Sequence, residues 1–112
     1  MQGALFFVGP EGEAGEAINI TEKGLAHIAQ RHMADGAKAA GKSVFNAGTD
    51  VKSLIQAAAS TPGTTNAVGN IERVVQAGTT VGTDRASGAA TSVYTVVTKQ
   101  SGELVTAFPG RP

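Results

Sequence analysis

The chain contains no cysteine and no tryptophan, and only five aromatic residues. Without cysteine no disulfide staples the fold, so stability must come from a packed core. Without cysteine, and with only two histidines and no clustered aspartates, there is no credible ligand set for a metal. Net charge is also missing: nine Lys and Arg balance nine Asp and Glu. No global electrostatic footprint therefore marks the chain for nucleic acid, a membrane surface or an acidic partner. No apolar run is long enough to span a bilayer. Leu5 to Val8 is too short for a signal-peptide core and has no basic residues ahead of it. Phosphate-loop and dinucleotide glycine fingerprints are absent, as is any local signature of a serine or cysteine nucleophile. No cofactor is expected.

What is present is a short chain of 112 residues, rich in Gly, Ala, Thr and Ser. That length fits one lightly built domain. Residues 1–18 read as a linker or tail, because Gly9-Pro10-Glu11-Gly12-Glu13-Ala14-Gly15-Glu16 resists packing. A short strand or helical turn is conceivable at Ala4 to Val8. Residues 19–112 form the domain proper.

Both histidines lie in Gly24-Leu25-Ala26-His27-Ile28-Ala29-Gln30-Arg31-His32. Asn19 and Thr21 are good helix caps, and Glu22 suits the positive end of the helix dipole. Leu25, Ile28, Ala29 and Met33 form an apolar stripe; Lys23, His27, Gln30 and Arg31 form the polar one. His27 and Arg31, four apart, share a face. A proton-exchanging group beside a permanent cation suits chemistry on a phosphate. His32 falls inside the apolar stripe, so the two histidines are expected to point different ways. The helix is expected to end near Asp35-Gly36.

A loop is expected from Ala34 to Gly48, with Val44-Phe45 docked into the core. A second helix starts at Thr49 or Asp50, follows Val51, Leu54, Ile55 and Ala58, and stops before Pro62. The rest reads as β: Ile71 to Gln76, Thr79 to Thr83, Thr91 to Lys99, and Leu104 to Phe108 after a hairpin turn. Asp84 to Gly88 is a turn. The expected fold is α+β, with two N-terminal helices packed on a C-terminal antiparallel sheet. Alternation puts Leu104, Thr106 and Phe108 on one face of the last strand. The polar residues left for a metal-free site are His27, Arg31, His32, Arg85, Tyr94, Lys99, Thr106 and Arg111. Each also has an ordinary role open to it, in the core or on a solvated surface.

His27-x-x-x-Arg31-His32 on an early helix, followed by a β half that ends in Val105-Thr106-Ala107-Phe108-Pro109, resembles a known family. It is similar to the C-terminal toxin domains of contact-dependent growth inhibition proteins. More narrowly, it resembles the ribonuclease toxins of the barnase–EndoU–colicin–RelE superfamily, including those described as ribonuclease A-like. The resemblance spans roughly residues 20 to 110. It implies a metal-independent endoribonuclease, with transfer RNA the leading substrate. Carried over, its active-site groups would be His27, Arg31 and Thr106. Beyond that carry-over, His32 is one candidate for the second proton-transfer group, against its place in the apolar stripe, and Tyr94 is a further site candidate. Arg85 and Lys99 are candidates for binding substrate, and Phe108 for stacking. The 2′-hydroxyl of RNA would attack its own phosphate and leave a 2′,3′-cyclic phosphate. The resemblance further implies a cognate immunity protein and, in some toxins of this kind, a translation elongation factor that presents the RNA. It implies delivery as part of a secreted or cell-surface effector and action in the target cell's cytoplasm. Zero net charge sits awkwardly with RNA binding unless basic residues cluster. Two other readings compete. One is a non-enzymatic binding or structural module of a surface or phage-associated protein. The other is a small phosphate-ester hydrolase with a pocket of nucleotide size.

Overall fold

The computed structural model describes residues 17–34, 36 and 41–112. Of the linker expected over residues 1–18, residues 1–16 lie outside these residues, as do the patch at Ala4 to Val8 and Asp35 of the expected helix end; Ile18 belongs to the packed domain. The architecture is α+β, with two helices and antiparallel sheets. In chain order the elements are α1 (Glu22–Arg31), β1 (Val44–Phe45), α2 (Val51–Ala58), β2 (Thr64–Thr65), β3 (Ile71–Gln76), β4 (Gly82–Thr83), β5 (Ala90–Thr91), β6 (Val93–Thr98) and β7 (Leu104–Pro109).

The expectation of two leading helices on a single sheet needs correction. A strand, β1, separates the helices, and the strands divide into two sheets, β1-β4-β5 and β2-β3-β6-β7. The short strands escaped notice because two residues cannot display a period. β2 was expected to be loop. It pairs with β3 across a turn in which the Asn66 side-chain oxygen accepts from the backbone N–H groups of Val68 and Asn70. The strand expected over Thr79 to Thr83 shrinks to Gly82–Thr83, and it pairs outside the larger sheet.

β6 is one of the two interior strands of the larger sheet and is buried on both faces from Tyr94 to Thr98. Its β-branched run suits that place. The core joins Ile28 of α1, Phe45 of β1, Val51, Ile55 and Ala58 of α2, and Tyr94, Val96, Leu104 and Ala107 of the sheet. Ile18 already packs against it, and the Asn19 N–H donates to the Gly102 carbonyl at 2.9 Å.

Two local devices place α1 against the edge strand β7. Thr21 caps the helix, its hydroxyl accepting from the Gly24 N–H at 3.0 Å. Gly24 is buried because Leu104 occupies the space a Cβ would need, only 2.9 Å away. At the far end His32 meets Phe108, ring centroids 5.7 Å apart. Gly24 to His32 rises about 12 Å along a helix, and Leu104 to Phe108 spans about 13 Å of strand. Helix and strand therefore keep step.

α1 stops at Arg31, short of the expected Asp35-Gly36. His32 leaves helical geometry (φ −124°, ψ 12°), and its carbonyl accepts from the Phe45 N–H at 2.6 Å. Met33 then pairs with Phe45. Strand pairing has outcompeted the last helical turn. Simple alternation also fails along β7. Val97 faces Thr106 while Thr98 faces Leu104, so Val105 is a bulged extra residue. Leu104 and Ala107 belong to the core, whereas Thr106 and Phe108 are half-buried.

Candidate functional site

One large cleft, of about 620 Å³, lies where α1, the segment before β1, the β4–β5 turn and the end of β7 meet. It is lined by His27, Arg31 and His32, by Lys42 and Ser43, by Asp84, Arg85 and Ala86, and by Phe108, Arg111 and Pro112. Six of the residues singled out from sequence as site candidates meet here: His27, Arg31, His32, Arg85, Phe108 and Arg111. Among the described residues that line the cleft, four side chains are cationic and one, Asp84, is acidic. Among the described residues none of the four cations is in an ion pair. A neutral chain has thus gathered its positive charge locally, and unpaired cations in a concave site favour an anion.

The histidines do not point different ways as expected. Their ring centroids are 5.6 Å apart, tilted by 52°. The cause is the early end of α1: at the C-cap His32 no longer follows the helical stripe. Its Nδ1 lies 2.9 Å from the Ser43 carbonyl, and its ring leans on Phe108.

Ser43 ties the cleft walls together. Its carbonyl holds His32, and its hydroxyl accepts from the Arg85 N–H at 2.7 Å. The β4–β5 turn is shaped by Asp84, whose carboxylate accepts from the Ala86 N–H at 3.0 Å. Gly110 (φ 86°) lets the chain pass this turn, since a Cβ there would lie 2.8 Å from the Asp84 carboxyl carbon. Ser43, Lys42 and Asp84 were not legible as site residues. Only the pairing of β1 with β4 brings their segments together, and a two-residue strand gives no sequence signal.

Burial holds both imidazoles below the usual histidine value of 6.5. For His27, the neighbours His32, Arg31 and Lys42 push in the same direction. For His32, the bond to Ser43 opposes burial, while Lys42 and Arg31 add to it. A depressed histidine binds fewer protons folded than unfolded, so stability falls as the unfolded chain protonates. The thermal midpoint should therefore drop as pH falls through 6.5 towards the lower folded values. Replacing both histidines by glutamine should flatten that slope. A slope unchanged in the double variant would place its origin in other groups.

Three residues expected at the site are elsewhere. Tyr94 is 1% exposed, with its ring edge against Phe45, and its hydroxyl donates to the Leu54 carbonyl at 2.7 Å. It is a core residue whose polar tip ties β6 to α2, and burial pushes its phenol up. Lys99 lies at the β6–β7 turn, 3.6 Å from Glu103. Thr106 does not line the cleft, and its buried hydroxyl has no hydrogen-bond partner among the described residues. The burial of β6 explains the place of Tyr94, and it cannot be read from spacing.

Two substitutions test this relocation. Tyr94→Phe should destabilise by about 0.5–1.5 kcal/mol, because the hydrogen bond that ties β6 to the Leu54 carbonyl is lost. Thr106→Val should be neutral or stabilising, because it removes an orphaned hydroxyl while keeping the shape. Neither should change a rate of catalysis in the cleft. Thermal melts with parallel assays decide, and a rate loss without a stability loss in either variant would return that residue to the site.

Among the described residues no group of three or more His, Cys, Asp or Glu is placed to hold a metal ion, and no helix is long and apolar enough to cross a membrane. Comparisons of the chain with protein-family models, curated proteins and solved structures returned no match.

Proposed function

We propose that the chain is a metal-independent endoribonuclease, the toxin domain of a larger effector. The observation that carries this reading is the convergence, in one cleft, of two imidazoles with four cations that have no ion-pair partner among the described residues. RNA brings its own nucleophile, the 2′-hydroxyl beside the scissile phosphate. The enzyme need only remove that proton, protonate the leaving 5′-oxygen and stabilise the charge that builds on phosphorus. Two histidines can serve the first two tasks. Arg31, in the last turn of α1 beside both rings, can grip the non-bridging oxygens. Lys42, Arg85 and Arg111 offer positions for flanking phosphates. The half-buried ring of Phe108 offers an apolar surface on which a base can stack. Thr106 has no part in this scheme.

The test is direct. The purified domain is incubated with total RNA, and with transfer RNA, in EDTA. Discrete fragments ending in 2′,3′-cyclic phosphate are expected, and a substrate with 2′-deoxy at the cut site should stay whole. Intact RNA under all conditions would leave the cleft as an anion-binding surface of a non-enzymatic module. Cleavage that needs one specific added metal would overturn the metal-free mechanism.

The family resemblance adds partners to this reading. An acidic immunity protein would cover the cleft, since charge complementarity speeds association with a basic surface. A translation elongation factor would help present transfer RNA, and action in the cytoplasm of a target cell would follow. Co-expression with the adjacent small open reading frame should yield a complex and protect the host. If neither is seen, this part of the proposal fails while the cleavage assay still stands.

A further inference from the structure

We propose that His32 is the general base of this site, taking the 2′-hydroxyl proton on Nε2, while His27 protonates the leaving 5′-oxygen. The assignment rests on the endoribonuclease reading and deepens it.

The helical stripe made His32 look like a core residue. The structure gives it a different character. Its Nδ1 is 2.9 Å from the Ser43 backbone carbonyl. A carbonyl only accepts, so Nδ1 must carry the hydrogen. In the neutral ring the lone pair is then on Nε2. A base needs that tautomer, and here a fixed backbone atom supplies it. The ring is also held in orientation by its place at the C-cap of α1 and by Phe108 behind it. His27 differs. It sits on the helix proper, and among the described residues its ring nitrogens have no hydrogen-bond partner. It is therefore free to carry a proton on either nitrogen and to turn towards a leaving group.

The charges around the pair agree with one neutral and one protonated imidazole. His32 faces His27 and Arg31 from α1, Lys42 and the Ser43 carbonyl from the segment before β1, and Phe108 from β7; Asp84 and Arg85 line the same cleft from the β4–β5 turn. With cations this close, two imidazolium ions side by side are disfavoured. Burial at His32 also favours its neutral form. With the lone pair on Nε2 of His32, the proton falls to His27, whose ring nitrogens have no hydrogen-bond partner among the described residues.

The step balances. Nε2 of His32 takes the 2′-hydroxyl proton as the bond from O2′ to phosphorus forms. The bond from phosphorus to O5′ breaks, and the 5′-oxygen takes the proton from His27. The products are a 2′,3′-cyclic phosphate and a free 5′-hydroxyl, with one histidine protonated before and after.

The experiment compares two substrates. One is an RNA dinucleotide, whose alkoxide must be protonated to leave. The other is uridine 3′-(4-nitrophenyl phosphate), whose nitrophenolate leaves without a proton. His32→Asn keeps an amide donor in the position of Nδ1 and lacks Nε2. It should lose about 10²–10⁴-fold on both substrates. His27→Gln should lose as much on RNA and recover most of it on the nitrophenyl ester. In wild type kcat/KM should rise with pH on its acidic limb as the base deprotonates, and His32→Asn should lose that limb. Thermal melts and binding of a 2′-deoxy oligonucleotide check that the cleft survives. If His32→Asn folds poorly, His32→Gln is read on the same two substrates. Wild-type rates in these His32 variants, or their rescue by the nitrophenyl ester, overturn the assignment while leaving the ribonuclease reading in place. A wild-type domain inert on both substrates overturns the ribonuclease reading, and the assignment with it.

Discussion

His27→Ala is expected to lower RNA cleavage by about 10²–10⁴-fold, the usual contribution of a positioned acid or base, and to leave the fold almost intact. The second half of that expectation is specific. His27 is half-exposed on α1, and no hydrogen bond ties its ring to the described residues. Its polar contacts are with the cleft and its water, so truncation should change stability by no more than about 0.5 kcal/mol. Alanine is also a better helix former than histidine. The checks are single-turnover cleavage at saturating enzyme and a thermal melt of the same sample. Full activity would remove His27 from the chemistry. A loss of stability as large as a core variant's would make it a packing residue, and any rate loss would then be secondary.

Phe45→Ala carries the largest expected effect on stability, about 3–5 kcal/mol for an aromatic side chain removed from a packed core. A domain of this kind has only about 5–15 kcal/mol in total. Phe45 is 0% exposed, and its ring meets the edge of Tyr94 at 6.5 Å. Its backbone N–H donates to His32, its carbonyl accepts from Ala34, and it pairs with Gly82. One residue thus joins the end of α1, the smaller sheet and the main core. The cleft depends on it, because Lys42 and Ser43 immediately precede β1. Chemical denaturation should show the large loss. Phe45→Leu, which refills most of the volume, should recover much of it. A cost below about 1 kcal/mol for Phe45→Ala would mean that the surroundings collapse onto the gap.

These two expectations sit at opposite ends of what was legible in the sequence. The helix bearing His27 and Arg31 could be read because ten residues carry a period, a cap and an acidic first turn. α2 was equally plain, with Asp50 at its cap and Val51, Ile55 and Ala58 buried. β3, β6 and β7 were visible as β-branched runs, and Phe45 was visible as an apolar residue stranded in a polar loop. The pairing of His27 with Arg31 followed from helical spacing alone.

What decided the site was long-range. A two-residue strand ended α1 early and turned His32 from the core stripe towards His27. A single bulged residue, Val105, moved Thr106 out of step with Leu104. The contact of Ser43 with both His32 and Arg85 joins positions 11 and 42 residues apart. None of these has a local signature, because each is a competition between segments that meet only once the chain has folded. Local spacing determined that the polypeptide makes an α+β domain and that one helix face presents a histidine beside an arginine. Only the tertiary structure decided that a chain of zero net charge gathers four cations and two imidazoles in one cleft, because charge is summed along a sequence but acts across space.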